Sequence, residues 1–177
     1  TRAMAEIISN PLPITEAGLA TGKMLYNINC AICHGEKADG NGWLVDEANP
    51  NQVYPAAPAN FLLDEHVNAT NGRYYHAIVY GKNVMGGYTD KLSYEERWNV
   101  IHYIRSIQAK EKGLAYNNLE NTFGAGATIG GSVAPKVSEA VTHDAHGGTH
   151  HSDADHSHDD GHSHDAGHQD GDSHGHE

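Results

Sequence analysis

Residues 30–34 read Cys30-Ala31-Ile32-Cys33-His34, and Gly35 follows. Cysteines three apart share one face of a helix, so both sulfurs can form thioethers to the vinyl groups along one edge of a haem. The next residue then places its imidazole on the iron. A dithiol redox motif has the same Cys-x-x-Cys spacing but no need of the histidine, and its usual setting, a strand running into a helix, is missing. A zinc site would need another sulfur or nitrogen at matching spacing, and the chain has no other cysteine. Haem attachment uses both cysteines.

An iron held by the porphyrin and His34 has one position left, whose ligand must come from well down the chain. Of the three methionines, Met4 sits in an N-terminus expected to fray, and Met24 shares a helix with the cysteines, where it cannot reach the far face. Met85 lies in Gly81-Lys82-Asn83-Val84-Met85-Gly86-Gly87-Tyr88, a stretch flexible enough to fold over a flat ligand, and is the expected sixth ligand. His66, His76 and His102 compete for that role. His76 and His102 fall in helices, where histidines with ordinary hydrogen bonds are the commoner outcome.

Outward from the motif, the pattern is all-α with long loops. Thr15 is a plausible N-cap with Glu16 at the positive end of the helix dipole, and Leu25, Ile28 and Ile32 follow at helical spacing to about Cys33. A second helix starts near Thr70 or Asn71, carries Tyr75, Ile78 and Val79, and stops at Gly81. Ser93-Tyr94-Glu95-Glu96 is a capping box that opens a third, with Val100, Ile101, Ile104 and Ile107, ending near Ala109. Between Gly35 and Thr70, Gly40-Asn41-Gly42, Pro50, Pro55 and Pro58 predict mostly loop, and strand signals are absent.

The 177 residues carry a formal charge of −12. A chain with 23 acids against 11 bases has no basic bulk with which to displace counterions from nucleic acid. No apolar run approaches the ~20 residues that span a bilayer, and no basic region followed by an apolar core opens the sequence. The charge is uneven: residues 1–112 net −2 and residues 113–177 net −10, and no aromatic residue follows Phe123. Such a segment cannot bury enough apolar surface to offset a backbone ordering entropy of roughly 1–2 kcal/mol per residue. The expected organisation is an N-terminal tether over 1–13, a haem domain over 14–112, a Gly/Ala-rich linker over 113–142 and a tail over 143–177. The tail holds 11 histidines and nine acids with no Lys or Arg. Pairs such as His156/His158, His162/His164 and His174/His176 could take copper, zinc or nickel, while their irregular spacing favours a solvated acidic tether.

Residues 15–109 resemble a class I cytochrome c. The likeness rests on Gly22-Lys23-Met24-Leu25-Tyr26 ahead of Cys30-x-x-Cys33-His34-Gly35, the methionine loop, and Arg97-Trp98-Asn99-Val100-Ile101-His102-Tyr103 on a last helix. The resemblance implies a small fold around one covalent haem in which first and last helices cross closely, with Gly22 permitting the approach and Tyr26 and Tyr103 filling it. It implies that a proline carbonyl holds His34 by its other nitrogen, with Pro58 the candidate and Pro55 the second choice. Tyr54, Trp43 and Arg73 are the expected partners of the propionates, and Trp98 and Tyr88 are expected to cover the haem.

Leu25-Tyr26-x-x-x-Cys30, Gly35-Glu36-Lys37-x-x-Gly40-x-Gly42 and Tyr80 to Tyr88, running on to Glu96-Arg97-Trp98, are similar to the mono-haem cytochrome c subunit of bacterial alternative complex III. That resemblance implies an electron carrier beside a multihaem cytochrome and a terminal oxygen reductase, on the periplasmic side of the bacterial membrane. The subunit there is generally a lipoprotein. This chain shows no lipid-bearing cysteine, so the anchor is either absent or on residues before Thr1, where covalent haem attachment also implies an export signal. Membrane association would then come through partners or that anchor. Histidine and methionine both on iron leave no open position for a substrate, so electron carriage is expected rather than catalysis, with a small peroxidase as the catalytic alternative.

Overall fold

A computed structural model of the chain describes residues 2–51, 56–123 and 132–133. The chain divides into two units, 1–137 and 138–177, and the second lies outside the described residues, as do Tyr54 and Pro55. The expected metal-binding pairs of the tail lie there too. Among the described residues there are six α-helices, one short 3-10 turn (Trp43–Val45) and no strand, only isolated bridges. The helices are α1 (Arg2–Ala5), α2 (Glu16–Asn29), α3 (Ala31–His34), α4 (Asp64–Val67), α5 (Asn71–Tyr80) and α6 (Tyr94–Glu111). No described helix is long and apolar enough to cross a membrane.

The long helices begin where their caps predict. Thr15 accepts from the Gly18 amide, Thr70 from that of Arg73, and at Ser93 both halves of the capping box are made, the Ser93 amide donating to Glu96 Oε2 at 2.7 Å. Gly22 decides how α2 and α6 pack. A Cβ there would stand 2.1 Å from the Asn99 carbonyl oxygen, so only glycine lets the two backbones approach this closely. The Tyr26 and Tyr103 rings fill the crossing at 5.4 Å between centroids. Leu25, Tyr26, Val100, Ile101 and Ile104 join Tyr74 and Ile78 of α5 in the main core.

Three expectations give way to tertiary structure. The first helix stops at Cys30 instead of running to Cys33: the Cys30 amide closes the last bond of α2 on the Tyr26 carbonyl, and Cys33 and His34 then donate to the Cys30 carbonyl to start a new turn. The amides of Gly42 and Gly40 return to the carbonyls of Cys33 and His34. Ile28 is 68% and Ile32 46% exposed. The face of α2 turned to α6 runs through Gly22, Leu25 and Tyr26, and Ile28 lies about a third of a turn from it.

The packed body also reaches past 14–112 at both ends. Glu6 accepts from Thr70 Oγ1 at 3.2 Å and pairs with Arg73 Nε at 3.5 Å, and Asn10 donates to the Trp98 carbonyl at 3.1 Å. Ile14, Val67, Ala109, Tyr116 and Phe123 form a second small core. The reason is polar as much as apolar. His102 is 1% exposed; its Nε2–H donates to the Leu12 carbonyl at 2.9 Å, which makes Nδ1 the acceptor for the Tyr116 hydroxyl at 2.8 Å. One histidine of α6 thus ties the segments before and after the helical domain, where the composition had suggested tether and linker.

Candidate functional site: the cavity beside His34

A cavity of about 690 Å³ opens among α3, the segment 56–66, α5, the 81–88 loop and α6, within the size range of pockets that take organic cofactors. Cys30, Cys33 and His34 line it, and so do Met85 and Tyr88, more than fifty residues further on. Val100 and Ile104 of α6 and Ala77 and Ile78 of α5 supply apolar wall. Arg2, Arg73 and Lys82 stand on its lining against a single acid, Glu65.

His34 is held on two sides. Its Nδ1–H donates to the Ala59 carbonyl at 3.0 Å, and the Phe61 ring stacks on the imidazole at 4.5 Å and 19°. Nε2 is left as the nitrogen that can bind iron. Burial lowers the His34 pKa, which favours the neutral ring that ligation requires. Burial pushes the Cys30 thiol up to about 12 and raises Cys33 as well. A redox dithiol works through a lowered thiol pKa, so this pair lacks that activation.

The methionine loop is fixed by the backbone. Gly81 sits at φ 77°, and a Cβ there would meet the Met85 carbonyl oxygen at 2.3 Å. Lys82 and Met85 exchange amide hydrogen bonds of 2.9 and 3.0 Å around a tight turn. At the far end the Tyr88 amide donates to the Ile78 carbonyl at 2.7 Å and its hydroxyl to the Asn29 carbonyl at 3.2 Å, pinning the loop to the end of α2 beside Cys30.

The other expected residues divide. Arg73 and Tyr88 line the cavity, although Arg73 is also paired with Glu6. Pro58 lines it too, but the carbonyl that accepts from His34 belongs to Ala59, one residue on. A backbone acceptor carries no residue-type signature, so the sequence could bring it only to within a residue or two. Trp43 and Trp98 are not part of the lining. Trp43 is 56% exposed in a short 3-10 turn, and Trp98, 2% exposed, stacks on Tyr75 at 4.2 Å between α5 and α6. Of the competing histidines, His66 and His76 reach the lining, whereas both nitrogens of His102 are engaged elsewhere. Phe61 and Tyr74 escaped the sequence reading. Phe61 could have been found as the aromatic residue closing the Pro-rich segment that returns to the motif.

Two thiols, an imidazole with one nitrogen free, a thioether, an apolar wall and three cations on the lining fit haem c, whose two propionates need positive partners. Residues 17–104, about half the chain, match the family model described as cytochrome C oxidase, cbb3-type, subunit III. No curated protein matches. Among solved structures, a chain of the Kuenenia stuttgartiensis reducing HAO-like protein complex is 26% identical with a TM-score of 0.45; the likeness covers 56% of this chain and 49% of that one. The matched span contains both cysteines, His34, Met85 and the α2–α6 crossing around them, and on that ground the chain is a class I c-type cytochrome that binds haem c covalently and carries electrons.

Proposed function

We propose that this cytochrome carries single electrons on one haem c as a subunit of a respiratory quinol-oxidising membrane complex of the alternative complex III kind. It passes them towards a terminal oxygen reductase on the periplasmic side of the bacterial cytoplasmic membrane. The observation that carries the electron-carrier reading is that Cys30, Cys33, His34 and Met85 line one cavity. The complex is supported by the run from Tyr80 to Tyr88 and by the motif Gly35-Glu36-Lys37 with Gly40 and Gly42. Haem c supplies a one-electron iron couple when bound. Cys30 and Cys33 would hold it covalently, Ala59 and Phe61 orient the imidazole of His34 that would bind its iron, Met85 would offer a thioether to the same iron, and Val100, Ile104 and Ile78 would keep water from the ring. Arg73, Arg2 and Lys82 offer charge to its propionates.

A second reading makes the protein a free-standing or oxidase-linked carrier whose His-rich tail binds copper, zinc or nickel. The description of the matching family, a cbb3-type oxidase subunit, favours the oxidase link. The decisive experiment isolates the native protein from gently solubilised membranes and identifies what comes with it. Quinol-oxidising subunits and a multihaem cytochrome support the first reading, and an oxidase alone or no companion supports the second. In either case denaturation should leave haem attached to the chain. Haem that extracts into acidified organic solvent sinks both. Calorimetry with copper and zinc reports on the tail, where one weak, pH-insensitive phase tells against a dedicated site.

A further inference from the structure

Arg105 lies on α6 with no solvent exposure, next to Ile104 of the cavity wall. Its donors are spent on neutral acceptors. Nε donates to Asn71 Oδ1 at 2.7 Å, Nη1 to the Val67 carbonyl at 3.0 Å and to Gln108 Oε1 at 2.9 Å, and Nη2 to the Ala69 carbonyl. The guanidinium carbon stands 4.7 Å from the centre of the Tyr74 ring. Among the described residues no carboxylate pairs with it.

Guanidinium stays protonated under all ordinary conditions, so α6 carries a full positive charge in the interior that hydrogen bonds solvate but no anion cancels. Burying a cation this way is costly, and an anchoring role alone could be filled by neutral amides. Tyr74 and Ala69 both line the cavity, which places the charge one side chain behind its wall. Low dielectric screens such a charge weakly. Arg105 also reaches the axial histidine mechanically: Gln108, which it holds, donates to the Phe61 carbonyl at 2.6 Å, and Phe61 stacks on His34.

We propose that Arg105 is a positioning residue for electron transfer, whose buried, carboxylate-free charge behind Tyr74 and Ala69 raises the reduction potential of the haem domain. That role for Arg105 rests on the domain holding haem c as proposed. Reduction adds one electron and forms or breaks no bond, and oxidation adds one positive charge to the iron. A fixed cation nearby opposes that added charge and so favours the ferrous state.

The test compares midpoint potentials of the intact haem-loaded chain and three variants by spectroelectrochemistry. Asn71→Asp keeps the acceptor on Arg105 Nε, sets an anion against the guanidinium, and places it in the first turn of α5, where the helix dipole favours negative charge. Arg105→Gln removes the charge and keeps a planar amide, and Arg105→Lys keeps the charge and loses the fork. In Asn71→Asp and in Arg105→Gln the equilibrium constant for reduction should fall about tenfold, about 59 mV for one electron. Arg105→Lys should stay near the parent, and the sulfur-to-iron charge-transfer band should persist in all three. Either neutralising variant decides alone if the other fails to load haem. Unchanged potentials with the band intact overturn the proposal, as does an equal fall in Arg105→Lys, which would trace the effect to geometry. A parent chain without covalent haem would instead overturn the haem reading itself.

Discussion

Met85 reaches the cavity through a turn closed on itself by Lys82. That turn needs nothing from the thioether, so the side chain can be changed without dismantling its support. Met85→Ala should therefore keep covalent haem and helix content while abolishing the sulfur-to-iron charge-transfer band and lowering the reduction potential, because a thioether ligand favours ferrous iron. Absorption spectroscopy checks it. A band that survives would assign the sixth position to another residue, with His66 and His76 on the lining as the alternatives. The support of His34 is not written in the motif around it. Its partners are a carbonyl and a ring face, neither of which a motif spells out.

Among the elements, the α2–α6 crossing sets the cavity, since α2 delivers the chain to Cys30 while α6 brings Val100 and Ile104 to the wall. The closeness of that crossing depends on Gly22. Gly22→Ala puts a methyl group 2.1 Å from a backbone oxygen that no side-chain rotation can move, so the helices must separate. A loss of roughly 1–3 kcal/mol is expected from overpacking of this kind. The midpoint of chemical unfolding measures it, and parent-like stability would mean that the crossing relaxes without cost. The caps of the same helices were legible in the sequence because a cap is a contact between residues three apart. The break at Cys30 was not: there Cys33 and His34 both donate to the Cys30 carbonyl, and the Asn29 carbonyl takes the hydroxyl of the distant Tyr88.

In the molecule as a whole, His102 links the chain before α2, α6 itself and the turn around Tyr116. Burial pushes its pKa from the usual 6.5 down to about 4. The unfolded chain therefore binds the proton more readily than the folded one throughout that interval, and stability rises with pH there. The stability is complete above pH 6.5 and declines as pH falls to about 4, by roughly 3 kcal/mol in all. Acid unfolding followed by circular dichroism checks this against His102→Gln, which should lack that part of the slope. Identical slopes in the two chains would show that the acid sensitivity comes from other groups. The sequence by itself determined the haem motif, the methionine loop, the helix starts and the helical class, because each is written in residues a few positions apart. It also determined where the aromatic residues stop, at Phe123. Only the tertiary structure decided that Ala59 and not Pro58 holds His34, that Trp98 packs against Tyr75 away from the cavity, and that residues 2–14 and 114–123 join the packed body. Each of these depends on backbone groups or buried polar partners brought together from distant parts of the chain, and no periodicity records such meetings.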